Sequence, residues 1–282
     1  MNCRFFRKVI FFTIIFFLAI ENPVFAKPSQ LSVANDSVEV RFICLSPSPY
    51  SNRHDSLRAG FGIFLLLQQA IDKNNLNILT SYYDGSLFYE NREKVREVLD
   101  GPEVILLGGA TWAQGPTYYM RRFLELGGAT NLIGVSASAW ATAGGAHTGG
   151  ELVISTTLRS LMGMGAKTFT LGQKYMVFTT DERLSPTAGA FSLFDLWYMD
   201  QFARNIAVEA LFGNDRTKAK KLSKELGTSP HYYSNGNFPP SSEKLNEYVE
   251  LQRRLNAAAI PNSPEYQELR SMLANETNLQ KP

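Results

Sequence analysis

From about Ser37 onward, short apolar runs alternate with segments whose apolar positions recur at helical spacing. The runs 38–45, 76–82, 104–108, 132–137 and 168–171 read as strands, and the intervening pattern predicts helices over 55–71, 91–99, 116–126, 151–162 and 194–211. Five strands interleaved with five helices predict an α/β fold, a three-layer sandwich whose five-stranded parallel sheet is covered on both faces. Short right-handed crossovers leave few topologies, and the strand order 2-1-3-4-5 is the one expected. Past Gly213 the pattern changes to a Lys-rich helix over 217–226, an aromatic and Pro-rich turn region over 229–240, and two further helices. The first covers 242–259, with Leu245, Tyr248, Val249 and Leu255 at helical spacing. The second has Ser263 as N-cap, Pro264 at the first helical position and Glu265 in its first turn. Residues 37–213 are therefore read as the α/β domain and 214–282 as a helical C-terminal extension that packs on the domain or on a second subunit.

The segment before residue 37 has a different character. Arg4, Arg7 and Lys8 precede a nearly unbroken apolar run over 9–20, followed by Val24-Phe-Ala26. These are the three regions of a secretory signal peptide with a small-residue cleavage site, expected over 1–26, with 27–36 as a linker. The run is shorter than the roughly 20 residues a membrane-spanning helix needs. An exported, periplasmic protein is expected, tethered to the membrane if the signal is retained. Of the 28 Lys+Arg and 26 Asp+Glu, three bases and Glu21 belong to that leader, which leaves 25 of each. A net charge near zero does not suit a phosphate-backbone binder, so nucleic acid is not an expected partner. The leader also takes Cys3, leaving Cys44 alone in an apolar strand pattern, where a buried inert thiol is expected and no disulfide can form.

In a parallel sheet of this kind, ligands sit beyond the carboxyl ends of the strands. Three loops follow such ends. After the first strand come Ser48, Tyr50, Ser51, Asn52 and Arg53, ahead of a helix. Hydroxyls and N–H groups at a helix N-terminus, with a guanidinium nearby, make an anion site; the same residues also suit a plain helix cap and turn. After the third strand, Gly108-Gly109 permits close approach of another group to the backbone, and Trp112 stands among small residues. Its indole can stack on a planar heteroaromatic ligand or cover the neighbouring helix. After the fourth strand, residues 136–150 include Gly144, Gly145, His147, Gly149 and Gly150. Backbone N–H groups there could serve carbonyl oxygens of a ring, and His147 could be a donor, an acid or only a loop histidine. No second ligand stands at metal spacing beside it, so no metal site is expected.

Residues 103–126, with Leu-Gly-Gly-Ala-Thr-Trp-Ala-Gln-Gly-Pro-Thr-Tyr-Tyr at their centre, resemble the third strand, flavin loop and following helix of flavodoxin-like NAD(P)H:quinone oxidoreductases of the WrbA type. His147-Thr-Gly-Gly-Glu151 and the Thr-rich helix after it are similar to that family's His-Gly-Gly-Gln-Glu loop and helix. Residues 48–53 take the place of its phosphate loop. The resemblance covers about 38–212 and implies a flavodoxin-like fold that binds FMN. The phosphate would lie on Ser48, Tyr50, Ser51, Asn52 and Arg53, and the ring between Ala110, Thr111, Trp112, Ala113, Gln114 and Gly115 on one side and Gly144, Gly145, His147, Gly149 and Gly150 on the other. It implies an NAD(P)H-dependent FMN oxidoreductase that reduces a quinone or similar small acceptor, with His147 as the catalytic candidate, and a homo-oligomer assembled through the flavin-bearing faces. The protein's share of such chemistry is binding, orientation and tuning.

The chain also departs from that pattern. Pro47 and Pro49 remove N–H donors from the first loop, Ala110 stands where proline is usual, and Gly163 and Met164 occupy the place of the paired histidines beside the nicotinamide. Two other readings follow: a flavodoxin-like electron carrier or flavin-binding module without hydride chemistry, and a degenerate fold of the same class that binds no flavin.

Overall fold

Along β1 (Val38–Leu45), Val40, Phe42 and Cys44 enter one apolar layer while Ile43 and Leu45 enter another. A strand apolar on both sides needs cover on both, and the chain supplies it. The structure, a computed structural model, describes residues 37–45, 55–112, 114–143, 149–171, 176–181, 190–228 and 241–274. The remaining strands are β2 (Ile78–Asp84), β3 (Val104–Trp112), β4 (Gly115–Pro116), β5 (Ser136–Ala143), β6 (Lys167–Thr168), β7 (Val177–Asp181) and β8 (Ala190–Phe191). The helices are α1 (Asp55–Asn74), α2 (Arg92–Leu99), α3 (Tyr118–Gly127), α4 (Gly150–Gly163), α5 (Leu193–Phe212), α6 (Arg216–Leu226), α7 (Ser242–Ala257) and α8 (Pro264–Ala274).

The sheet runs β2-β1-β3-β5, all parallel, with β6 and β7 both paired to β5. Val40 lies opposite Val104, so the first and third predicted strands are neighbours. This is the order 2-1-3-4-5 of the flavodoxin-like fold. Helices α1 and α5 cover the face of Phe42, Cys44 and Leu106, and α2 and α3 cover the face of Ile43, Leu45 and Leu107. Tyr248, Leu251 and Leu255 of α7 and Leu269 and Leu273 of α8 join the same core as α1, so these helices pack on the domain itself. The Tyr248 hydroxyl donates to Asp200 Oδ2 (2.8 Å), Asp200 is 4% exposed, and Arg204 Nε donates to Asp200 Oδ1 (2.9 Å). Burial beside that carboxylate holds the Tyr248 phenol well above its ordinary pKa. Ser263 caps α8 as expected, accepting the Tyr266 N–H at 3.0 Å. Cys44 is buried and forms no disulfide among the described residues.

Four expectations need correction. The fourth strand is Ser136–Ala143, not 132–137, so most of the segment taken for a loop is a strand. Ile133 is exposed and Gly134 takes a left-handed φ of +93°, which ends any extended run through the bulkier apolar residues. The fifth strand is two pieces rather than 168–171: β6 pairs with Ser136 and Ala137, and β7 pairs with Ala141, Thr142 and Ala143. The third strand continues past Gly108 to Trp112 and folds back as an antiparallel hairpin with β4, while β7 forms a second hairpin with β8. On α7, Leu245 and Val249 face solvent although their spacing matched the buried Tyr248 and Leu255.

Candidate functional site

All three candidate loops leave the sheet at its carboxyl edge, and the structure describes the residues that anchor them. Leu45, the last residue of β1, is in register with Gly109 of β3. Thr117 caps α3 by accepting the Met120 N–H (3.3 Å), and its hydroxyl reaches the Leu45 carbonyl at 3.5 Å. The carboxyl end of β1 therefore lies beside the β3–β4 hairpin. The first turn of α1 is tied to the far strands. Asp55 Oδ2 accepts from the Thr180 hydroxyl at 2.8 Å, and Asp55 Oδ1 pairs with the guanidinium of Arg58. Arg58 is 1% exposed, and its guanidinium also lies 5.4 Å from the centre of the Phe191 ring. The hydroxyls of Ser56 and Thr142 are hydrogen-bonded to each other, and the Ser56 carbonyl accepts from Trp140 Nε1 (3.1 Å). One turn of helix thus braces β5, β7 and β8 together at the carboxyl edge of the sheet.

The hairpin and the start of α4 also meet. Gln114 adopts φ +64° and Gly149, the N-cap of α4, adopts φ +94°. A Cβ on Gly149 would lie 2.5 Å from the Gln114 carbonyl oxygen, so only glycine lets these two backbones touch. A Cβ on Gly150 would lie 2.3 Å from Val177. The sequence reading placed a ligand ring between these two segments; where Gly149 and Gln114 stand, they are in direct contact instead.

The glycine pair of the second loop does let another group approach the backbone closely, and that group is a core side chain. Gly108 lies in β3, and what approaches its backbone is Trp140 of the neighbouring strand: a Cβ there would fall 1.8 Å from Cε2 of the indole. Gly60 of α1 leaves room for the same ring, 2.6 Å from Cζ2. Gly109 has Met120 and the Leu45 carbonyl within 3.3 Å of such a Cβ. The pair makes space for core packing, because a fully buried indole between two strands and a helix needs a missing side chain on each side.

Ala110 and Thr111 are half-buried at the end of β3, and Gln114 and Gly115 are described in the turn and in β4. The Thr111 hydroxyl oxygen is buried with no hydrogen-bond partner among the described residues. A buried hydroxyl in that state is available to a ligand. Ser48, Tyr50, Ser51, Asn52, Arg53, Ala113, Gly144, Gly145 and His147 lie outside the described residues, as does the side chain of Trp112. Asp55, Ser56, Arg58 and Thr180 were missed by the sequence reading. The available signal was a charged pair at i, i+3 in an otherwise apolar helix face. Near the same edge, burial raises the Asp195 carboxyl above its ordinary pKa, although the Ser192 hydroxyl and N–H both donate to it. Among the described residues no group of His, Cys, Asp and Glu is arranged to hold a metal, and no helix is long and apolar enough to cross a membrane.

No protein-family model matches the chain, and no curated protein matches it significantly. Solved structures similar to it include a flavodoxin from the domain Archaea, with 15% identity over 61% of this chain and 100% of that one and a TM-score of 0.40. An oxidoreductase from Corynebacterium diphtheriae is similar at 15% identity, over 61% of this chain and 97% of that one, with a TM-score of 0.47. A WrbA-like flavodoxin protein from Agrobacterium tumefaciens is similar at 14% identity, over 62% of this chain and 98% of that one, with a TM-score of 0.43.

Proposed function

We propose that the chain is an FMN-dependent oxidoreductase that transfers electrons, as hydride from NAD(P)H, to a quinone or similar acceptor. The observation that carries this reading is the convergence of the anchors of all three candidate loops at the carboxyl edge of a 2-1-3-4-5 sheet, where such folds hold ligands. The residues fit the cofactor at one described point, the Thr111 hydroxyl, which is buried and has no hydrogen-bond partner among the described residues. Ser48, Tyr50, Ser51, Asn52 and Arg53 would hold the phosphate, and Thr111 with its hairpin neighbours the ring. When bound, FMN supplies the two-electron chemistry. The protein binds and orients: Arg53 contributes the formal positive charge of its loop, and His147 is the candidate to hold a proton near the reacting atoms. The protein is proposed to act after export to the periplasm, as a homo-oligomer.

One observation favours the rival reading of a fold that binds no flavin: Gly149 and Gly150, both expected beside the ring, have protein neighbours in that place. A second bears on the electron donor. Gly163 ends α4 in open space and Met164 is buried, so neither position offers a titratable group to a nicotinamide. The deciding experiment is a titration of the mature chain with FMN, followed by its visible spectrum. Binding should weaken roughly ten- to hundredfold in Arg53→Ala, the equivalent of about 1.5 to 3 kcal/mol for hydrogen bonds to a charged group. Equal affinities would remove Arg53 from the site, and a colourless protein would establish the rival reading. Steady-state rates with NADH, NADPH and a soluble quinone then test the donor.

A further inference from the structure

A cleft of about 100 Å³ opens between the C-terminal end of α1, the middle of α5, the C-terminal end of α6 and the first turn of α7. α1 is 20 residues long, so this end lies one helix length, about 30 Å, from its first turn at the carboxyl edge of the sheet. Leu66 and Leu226 supply apolar wall, and the charged residues of the cleft are Lys73, Arg204, Lys244, Asp200 and Glu225. Three cations from three different helices therefore share one cleft with two carboxylates.

The hydrogen bonds decide which sign the cleft presents. Both oxygens of the buried Asp200 are already used: Oδ1 accepts from Arg204 Nε at 2.9 Å and Oδ2 from the Tyr248 hydroxyl at 2.8 Å. The Leu226 carbonyl at the end of α6 accepts from Arg204 Nη1. These bonds fix the guanidinium and leave Arg204 Nη2 with no hydrogen-bond partner among the described residues. Lys244 Nζ pairs with Glu247, which leaves it further donors. Lys73, in the last turn of α1, is exposed and makes no ion pair among the described residues. Against these stands the exposed Glu225, which has Lys221 at 3.9 Å. Free donors thus outnumber free acceptors, and an anion relieves the repulsion among cations that three helices bring together.

We propose that this cleft binds a phosphate group, free or carried on a small ester, between Lys73, Arg204 and Lys244. A held guanidinium with ammonium groups on other sides suits an ion with several acceptor oxygens, and the volume has room for several water molecules and so for one tetrahedral oxyanion. Bound there, the anion ties α7 of the C-terminal extension to α1 and α5. No candidate flavin residue lines the cleft, so this inference stands apart from the oxidoreductase reading.

The test titrates the full mature chain with inorganic phosphate at constant ionic strength and follows the arginine side-chain nitrogens by NMR. A saturable shift of the Arg204 signal is expected, and chloride should not produce it. Lys73→Gln and Lys244→Gln should each raise the Kd about two- to fivefold, and Glu225→Gln should lower it by a similar factor, the range for partly exposed charge pairs. Arg204 is left in place because it also holds the buried Asp200. The three substituted side chains are exposed or half-buried, so the fold is preserved, which thermal unfolding verifies. Arg53→Ala should leave this Kd unchanged, which separates the cleft from the first loop and keeps its outcome distinct from that of the FMN titration. Glycerol 3-phosphate distinguishes the two sources of the group: a Kd at or below that of inorganic phosphate identifies an ester, and a higher one the free ion. A response matched by chloride overturns the proposal, as does an unchanged Kd in the Lys73→Gln, Lys244→Gln double variant. So does weaker binding in Glu225→Gln, or loss of the Arg204 shift in Arg53→Ala.

Discussion

Replacing Gly108 with alanine separates the two purposes that a Gly-Gly pair beside a candidate cofactor loop can serve. The new methyl carbon would lie 1.8 Å from Trp140 Cε2, 2.0 Å from Cζ2 and 2.5 Å from Cδ2. Ordinary contact begins near 3.5 Å, so the indole has to retreat by more than an ångström. It has nowhere to go: Trp140 is fully buried, α1 passes so close at Gly60 that a Cβ there would already overlap Cζ2, and the ring is held by its hydrogen bond to the Ser56 carbonyl. Overpacking of a full core costs about 1 to 3 kcal/mol, and with no direction of relief the upper end applies. Losing the indole hydrogen bond adds about 1 kcal/mol. The expected total is about 3 to 4 kcal/mol, or a fall in Tm of about 6 to 16 °C for a domain of this size. Thermal unfolding followed by circular dichroism, on the chain with and without FMN, measures it. Combining Gly108→Ala with Trp140→Phe should cost less than the sum of the two single changes, because the smaller ring vacates the contested space. A Gly108→Ala protein with an unchanged Tm and a weakened FMN titration would refute the reasoning and return the glycine to the ligand site.

Other expectations follow from the same contacts. Tyr248→Phe removes a hydrogen bond to the buried Asp200 carboxylate and should cost about 1.5 to 3 kcal/mol in denaturant unfolding. The Tyr248 phenol has a folded pKa above its unfolded value near 10, so its stabilisation is fully present below about pH 10 and is lost as the pH rises further. The stability gap between wild type and Tyr248→Phe should therefore be constant at neutral pH and narrow above pH 10; a gap that widens there contradicts the assignment. Thr180→Val deletes the hydroxyl that donates to Asp55 and should cost about 1 kcal/mol, with a larger proportional loss of FMN affinity if the brace positions the first loop. Equal FMN affinity with lowered stability would confine that brace to folding.

The apolar pattern of the chain was enough to place the parallel sheet, its order and most of its helices. Period-two runs such as that of β1 state which faces are buried, and local chemistry states where helices begin: Asn91 caps α2 and Ser263 caps α8, each through the N–H three residues on. What pattern alone could not supply was anything set by a distance between remote segments. Ser-Ala-Ser-Ala-Trp-Ala-Thr-Ala of β5 has none of the bulk that marks a strand, and it is a strand because Trp140 fills the space that Gly108 and Gly60 leave open. In sequence the Gly108-Gly109 pair states only that some group can approach the backbone, since an absent side chain does not say what occupies its place. Asp55 and Thr180 are 125 residues apart, and Gly149 meets Gln114 only because α4 and the hairpin converge on one edge of the sheet. Periodicity encodes burial, a property of each element by itself. Complementarity between a ring and a gap, or a carboxylate and a hydroxyl, belongs to pairs, and only the folded chain brings those pairs within reach.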